Sequence, residues 1–454
     1  MVHTYTLNGY NIAIDENSGS IHLLDDISFH ILKEMQEFKS LDYIISCLDG
    51  MYDTEDIVEA YKEIEELKEN ELLFTSNESL EELACNMNYS HSLKALCLHV
   101  AHDCNLRCEY CFASKGNYKS GRSLMSEEVA LKAVDYLVNN SGDRYNIEID
   151  FFGGEPLLNF DLVKKVVEYG RSIEKIKNKK FYFTITTNGV LLNDEKINYI
   201  NEYMDNVVIS IDGRKEIHDS IRYDINKNGT YDRIVPLAQK LVNGRGNKRY
   251  FVRGTFTKRN KDFSKDVRRL ADLGFKEISV EPVVGTGQDM FFDEDDIPEI
   301  LSEYEKLAVE YLKWLDEGLD FRFYHFNIDL YDGPCLFKRI MACGAGVEYF
   351  AVSPIGELYP CHQFVGEKDF IAGDIYNGIN SVEMGEKFKN TNILTKQKCK
   401  NCWAKLFCSG GCHANAFYSN GDITMPNELA CILQKKRIEC AIMIQIAKEM
   451  VNKN

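Results

Sequence analysis

Residues 104–111 read Cys-Asn-Leu-Arg-Cys-Glu-Tyr-Cys, which places Cys104, Cys108 and Cys111 on one short loop with C-x3-C-x2-C spacing. Three thiolates so spaced suit three irons of a [4Fe–4S] cube and leave the fourth iron without a protein ligand, open to a substrate. A zinc site is the alternative, although structural zinc usually takes four protein ligands. A second group follows in the C-terminal part: Cys343, Cys361, then Cys399-x2-Cys402-x5-Cys408-x3-Cys412, and Cys431. Seven thiols exceed one four-coordinate site, so two metal centres are the economical reading and a pair of zinc ribbons is the rival. Between the two groups stands Phe152-Gly153-Gly154-Glu155-Pro156. Glycines there let the backbone approach a ligand closely, and the carboxylate can accept hydrogen bonds from an ammonium group.

The rest of the composition narrows the setting. With 454 residues, 44% of them hydrophobic, two or three domains are expected. The 53 Lys and Arg against 71 Asp and Glu give a net charge of −18. That charge repels phosphate backbones and anionic lipid surfaces, so neither nucleic acid nor membrane is an expected partner. No apolar run approaches the roughly 20 residues needed to span a bilayer, and the first residues lack the basic and apolar regions of a signal peptide, which points to the cytoplasm. Fifteen cysteines fall well short of a disulfide scaffold, and in a reducing compartment their clustering points to metal.

Three parts are expected to position these residues. In residues 1–76, two alternating runs, 4–14 and 20–24, flank the turn-like Glu16-Asn17-Ser18-Gly19. Three helical patterns follow: 28–38, with Phe29, Leu32, Met35 and Phe38 on one face; 41–48; and a third capped at Thr54 and running through Leu67. A strand-like Glu71-Leu72-Leu73-Phe74 completes a small winged-helix-like pattern, whose ligand is expected to be a peptide laid along a strand edge. Residues 77–93 are polar and read as a linker. Strand-like runs at 95–100, 146–152, 181–186, 206–211, 250–255 and 277–281 then alternate with helical patterns at 126–137, 161–176, 194–203, 231–241 and 263–273. Six such units are too few for a complete eight-fold barrel. The fold class is therefore α/β, a partial (β/α)6 TIM barrel over 94–320 with its site at the C-terminal strand ends. An acidic helix near 294–318 precedes the cysteine-rich 321–454, a third domain stabilised largely by metal ligation.

The C-x3-C-x2-C loop one βα unit ahead of Gly153-Gly154-Glu155 resembles the radical S-adenosylmethionine (SAM) enzymes. In that family the methionyl amino and carboxylate groups chelate the open iron, and an electron passed to the sulfonium yields a 5′-deoxyadenosyl radical. The resemblance implies that Cys104, Cys108 and Cys111 hold the cluster, that Tyr110 lies against the adenine, and that Gly154 and Glu155 receive the amino group. Ser210 and Arg222 resemble residues that hold the SAM carboxylate and ribose, and Val283 resembles a backbone contact to adenine. The C-terminal spacing is similar to the SPASM domain of peptide-modifying radical SAM enzymes. It implies that Cys399, Cys402, Cys408 and Cys431 ligate an outer auxiliary [4Fe–4S] cluster, and Cys343, Cys361 and Cys412 an inner one, for three clusters in all. Either Cys335 or a substrate cysteine would complete the inner set. The five other cysteines, Cys47, Cys85, Cys97, Cys335 and Cys440, read mostly as buried thiols.

Over nearly the whole chain the arrangement resembles the SCIFF-type peptide maturases. The resemblance implies a leader peptide bound by the N-terminal domain, hydrogen abstraction from an acceptor residue, and a Cys thioether cross-link in a ribosomally made, cysteine-rich precursor peptide. A small electron donor such as flavodoxin or ferredoxin would supply electrons. Formylglycine formation, as in sulfatase maturases, is the alternative. It is weakened because those enzymes carry an aspartate after the second SPASM cysteine where this chain has His362. His413, beside Cys412, reads as a core or supporting histidine. A zinc-stabilised DNA-binding regulator is opposed by the net charge and by the six βα units.

Overall fold

The computed structural model describes residues 1–76, 78–85, 92–285, 289–331 and 335–453. The first 24 residues form an antiparallel sheet of β1 (Val2–Leu7), β2 (Tyr10–Asp15) and β3 (Ile21–Leu24), in that spatial order. The run read as one strand over 4–14 is thus two strands. Asn8 and Gly9 both take positive φ, 52° and 79°, and close a tight hairpin of the kind Asn-Gly favours. Helices α1 (Asp26–Gln36), α2 (Leu41–Leu48) and α3 (Thr54–Glu69) cover one face of this sheet. Asp25 caps α1 by accepting from the Ser28 N–H. Their core is Ile31, Leu32, Met35, Ile44, Ile57 and Ile64 against Val2 and Ala13. Phe38 departs from the expected apolar face: it lies past the end of α1 with φ 59° and is 97% exposed. The expected strand at Glu71–Phe74 is a turn, with φ 56° at both Glu71 and Phe74, and only Leu73 of that stretch is fully buried.

Part of the segment read as a linker is helical. Glu78–Cys85 forms a short helix whose Leu80 packs with Ile340, Met341, Cys399 and Leu406, and whose Glu81 pairs with Lys400 at 2.8 Å. Residues 77 and 86–91 of the predicted linker lie outside the described residues.

The central sheet contains six parallel strands joined in sequence order: β4 (Ala95–His102), β5 (Asn146–Gly153), β6 (Lys180–Thr187), β7 (Asn206–Ser210), β8 (Arg249–Phe256) and β9 (Glu277–Pro282). β4 is buried at every position, as a central strand covered on both faces must be, whereas β5 alternates buried and partly buried residues. The longer helices between these strands are α4 (Glu127–Asn140), α5 (Phe160–Lys177), α6 (Asp194–Tyr203), α7 (Tyr231–Asn243) and α8 (Ser264–Asp272), with a shorter one at Lys215–Ile221. Parallel neighbours in sequence order make an open barrel wall, with every loop that follows a strand on one rim. The acidic helix expected near 294–318 is α9 (Ile297–Asp316).

The sheet continues beyond these six strands. Arg322–Phe323 pairs parallel with β9 at one edge, and β10 (Tyr349–Val352) pairs parallel with β4 at the other. The cysteine-rich part is therefore joined to the barrel by backbone hydrogen bonds, where the sequence shows little regular periodicity. A 26-residue C-terminal helix, α10 (Glu428–Lys453), packs along α9. It also meets the N-terminal sheet: Tyr5 donates to the Glu439 carbonyl (3.0 Å), and His3 bonds the Glu439 carboxylate (2.8 Å) and stacks flat on Trp403 at 4.0 Å. Among the described residues no helix is long and apolar enough to cross a membrane.

Candidate functional site

The strand-end rim of the barrel opens into a cavity of about 920 Å³. Cys104, Cys108 and Cys111 line it, together with Tyr110, Gly154, Ser210, Arg222 and Val283. The same cavity is lined by Cys408, Cys412 and Cys431, with His362 and the α10 residues Gln434 and Arg437. Two cysteine groups far apart in sequence thus face one space.

The cysteine loop is held by backbone contacts that tolerate no side chain. A Cβ on Gly154 would lie 2.1 Å from the Asp103 carbonyl oxygen, one on Gly153 would lie 2.3 Å from that of Ala101, and one on Gly116 would lie 2.6 Å from Cys104 Cβ. The Gly154 and Glu155 N–H groups donate to the Ala101 and Asp103 carbonyls at 2.8 and 2.9 Å, pinning the loop to the end of β5. Arg107 donates to the Cys104 and Leu106 carbonyls at 2.6 and 2.7 Å. The donor set fits an iron–sulfur cluster: three thiols from one braced loop converge on one cavity. Burial pushes the Cys108 thiol up to about 12, against the opposing pull of Arg222, so metal ligation is what would hold it as thiolate at neutral pH. Among the described residues, no three His, Cys, Asp or Glu side chains are gathered tightly enough to hold one single metal ion.

Glu155 does not do what its position in the sequence suggests. Its side chain is fully buried and does not line the cavity. One carboxylate oxygen accepts from the Leu157 N–H (3.0 Å) and the Thr187 hydroxyl (2.7 Å), and the other from the Asn188 N–H (2.8 Å). Burial raises its pKa to about 7 despite these three donors. The carboxylate is therefore a brace between β5 and β6, and it is the Gly154 backbone that meets the cavity. Asn188, positioned by this brace, donates to Asn105 at 2.9 Å beside Cys104.

Asp212, a strand-end acid that sequence reasoning did not select, organises the neighbouring wall. It is fully buried and accepts from the Tyr110 hydroxyl (2.7 Å), Arg222 Nε (2.9 Å) and the Thr255 N–H (2.9 Å). Arg222 also lies over the Tyr110 ring, 5.2 Å from its centroid. In sequence it is only an acid just past a strand end; the structure adds that the next residue, Gly213, takes φ 114° where a Cβ would strike Asp266.

The C-terminal cysteines fall into two neighbourhoods. Cys399, Cys402, Cys408 and Cys431 lie within electrostatic reach of one another, and burial raises Cys399 to about 12 and Cys431 to about 11. Cys343, Cys361 and Cys412 form the second neighbourhood. Cys335 is exposed at the start of a short helix, and Cys47 is exposed rather than buried, while Cys97 and Cys440 are buried. The Cys85 side chain lies outside the described residues. His362 accepts or donates at Nδ1 to the Tyr349 hydroxyl (3.3 Å), and burial lowers it to about 4, so it is neutral at pH 7. His413 is buried edge-on to Phe388, a core position.

Residues 98–248 match the radical SAM superfamily. The chain is 26% identical over 349 residues to the cysteine-type anaerobic sulfatase-maturating enzyme of Clostridium novyi, covering 71% of this chain and 88% of that one. It is 25% identical over 338 residues to the antilisterial bacteriocin subtilosin biosynthesis protein AlbA of Bacillus subtilis, covering 71% of this chain and 67% of that one. Among solved structures, Streptococcus suis SuiB bound to S-adenosylmethionine superposes with a TM-score of 0.53 at 17% identity, over 94% of this chain and 98% of that one. The chain carries a radical SAM domain, and its relatives include maturating enzymes that modify peptides and proteins.

Proposed function

We propose that this protein is a cytoplasmic radical SAM peptide maturase that forms a Cys thioether cross-link in a ribosomally made, cysteine-rich precursor peptide. One observation carries the reading: the Cys104–Cys111 loop and three C-terminal cysteines, Cys408, Cys412 and Cys431, line a single cavity of about 920 Å³. In this account residues 1–76 are a winged-helix-like leader-recognition domain, with the peptide adding along an exposed strand edge. Residues 94–320 are the (β/α)6 barrel, and 321–454 the SPASM domain with outer (Cys399, Cys402, Cys408, Cys431) and inner (Cys343, Cys361, Cys412) [4Fe–4S] clusters. A flavodoxin- or ferredoxin-like donor supplies electrons.

The chain's own residues bind and orient. Cys104, Cys108 and Cys111 hold a [4Fe–4S] cluster, and the Gly154 backbone receives the SAM amino group in place of the engaged Glu155 carboxylate. Ser210 and Arg222 hold the carboxylate and ribose end. Tyr110, fixed by Asp212, lies against the adenine, with the Val283 backbone on its other side. Bound together, cluster and SAM supply a one-electron cleavage of the sulfonium that gives a hydrogen-abstracting radical. The acceptor carbon gives one hydrogen atom, which ends in 5′-deoxyadenosine, the thiol gives its proton to solvent as the C–S bond forms, and the one electron left over would be taken up by the centres that the C-terminal cysteines would hold. The linker-like helix and N-terminal sheet, docked on the C-terminal part, hold the leader near the cavity mouth. Neutral His362, where sulfatase maturases have an acid, supports this reading over formylglycine formation. Replacing Cys104, Cys108 and Cys111 by Ala should abolish deoxyadenosine formation and lower iron content by about four per chain; deoxyadenosine formed at the wild-type rate contradicts the assignment.

A further inference from the structure

Arg253 projects from β8 into the cavity, in register with Ser210 on β7 and Ser279 on β9. Its side chain is 56% exposed although it stands on a strand of the central sheet. Among the described residues its guanidinium donates no formed hydrogen bond, and its ion pair, Nη2 to Glu281 Oε1, spans 3.4 Å, longer than an N–H···O bond. Five donors in a fixed fork are thus presented to the cavity. Glu281 does not neutralise the region, because Arg437 from α10 also faces it. Arg437 is anchored by His325, which accepts at Nδ1 (3.0 Å) and uses Nε2 for Ser279 (3.0 Å). Two guanidiniums against one carboxylate leave a net positive charge on the cavity wall.

The placement says which anion this charge meets. Arg222 is already paired with Asp212, whereas Arg253, beside Ser210 in the sheet, lies within electrostatic reach of His362, next to Cys361, and Arg437 within reach of Cys408. On the maturase reading, a peptide reaching the Cys104–Cys111 loop past Cys408 and Cys412 would meet these two guanidiniums. In a chain of net charge −18, long-range fields repel acidic segments, so an acidic residue is accepted only where a local cation is built for it. We infer that the cavity selects a substrate peptide with an Asp or Glu beside the reacting residue, its carboxylate gripped bidentately by Arg253. This rests on the maturase reading above and narrows its substrate class.

The test uses the full chain and a fluorescein-labelled cysteine-rich synthetic peptide made in four versions, carrying Asp, Asn, Glu or Gln at one position next to a cysteine. Binding is read by anisotropy for wild type, R253Q and R253K, and SAM binding by equilibrium dialysis. One acidic version should bind wild type about tenfold more tightly than its amide twin, a charge-assisted pair's worth. The difference should vanish in R253Q and shrink in R253K, which keeps the charge without the fork. Equal affinity of acid and amide twins for wild type overturns the inference. So does a fall in SAM affinity in R253Q with the acid preference intact, which would assign Arg253 to the cofactor. Mass analysis of the same peptides separates the two claims: a cross-link without acid preference leaves the maturase reading standing alone, and acid preference without any cross-link leaves only the binding site.

Discussion

Replacing Asp212 by Asn removes a charge while nearly preserving shape. The wild-type carboxylate is fully buried and takes Tyr110, Arg222 and the Thr255 N–H, and the Arg222 side chain opposite is itself only 11% exposed. An amide has one acceptor oxygen where the carboxylate has two, and its NH2 group would face donors. Removing one partner of a buried ion pair typically costs about 3–5 kcal/mol, because the remaining charge stays desolvated. D212N should therefore destabilise the chain by about that amount, read by urea unfolding followed through tryptophan fluorescence on metal-free protein, where ligation adds nothing to stability. The double variant D212N/R222M removes the stranded charge and should recover at least about 2 kcal/mol of the loss. A D212N loss below about 1 kcal/mol, or strictly additive losses in the double variant, would refute the argument that this pair fixes the wall behind Tyr110.

Other outcomes follow from the same contacts. G154A places a methyl 2.1 Å from the Asp103 carbonyl oxygen, so the cysteine loop must shift, and deoxyadenosine formation should fall about tenfold or more; undiminished turnover would mean the loop has slack. Burial pushes Asp150 up to about 7, so the folded state binds a proton that the unfolded state, near 3.8, releases, and this group's contribution is lost as pH rises from about 4 through 7. D150N should accordingly gain in Tm relative to wild type between pH 5 and pH 8, and a pH-independent difference would contradict that. H3A removes the stack on Trp403 and the bond to Glu439, and should weaken docking of the N-terminal sheet by about 1–2 kcal/mol. Faster hydrogen exchange confined to Val2–Leu7 is the expected sign, and unchanged protection there would show that other contacts suffice.

The barrel was legible because its strands and helices carry their own periods: the six parallel strands fall within a residue or two of their expected bounds, and the cysteine spacing marked the loop after the first of them. What escaped the sequence was set by contacts between distant segments. Tyr349–Val352 becomes a strand by pairing with the free edge of β4 as well as with Glu357–Tyr359, and Leu80 makes a helix of an apparent linker by docking beside Cys399. The N-terminal reading failed where local chemistry was underweighted, since Asn8-Gly9 is a strong turn signal hidden inside an alternating run. Phe38 matched the helical period, yet the helix ended two residues before it. Within the site, residue types were visible but directions were not. Glu155 turns inward to Thr187 and Asn188, and Asp212, the residue joining Tyr110 to Arg222, has no motif that distinguishes it from an ordinary strand-end acid.

The central claim is tested most directly by the mass spectrum of a leader-bearing, cysteine-rich precursor peptide after anaerobic incubation with reconstituted enzyme, SAM and a reductant. The account predicts a product lighter by two hydrogens, with one fewer thiol open to alkylation and fragmentation blocked across a loop. Conversion of a cysteine to formylglycine, or deoxyadenosine formed with the peptide unchanged, would contradict it.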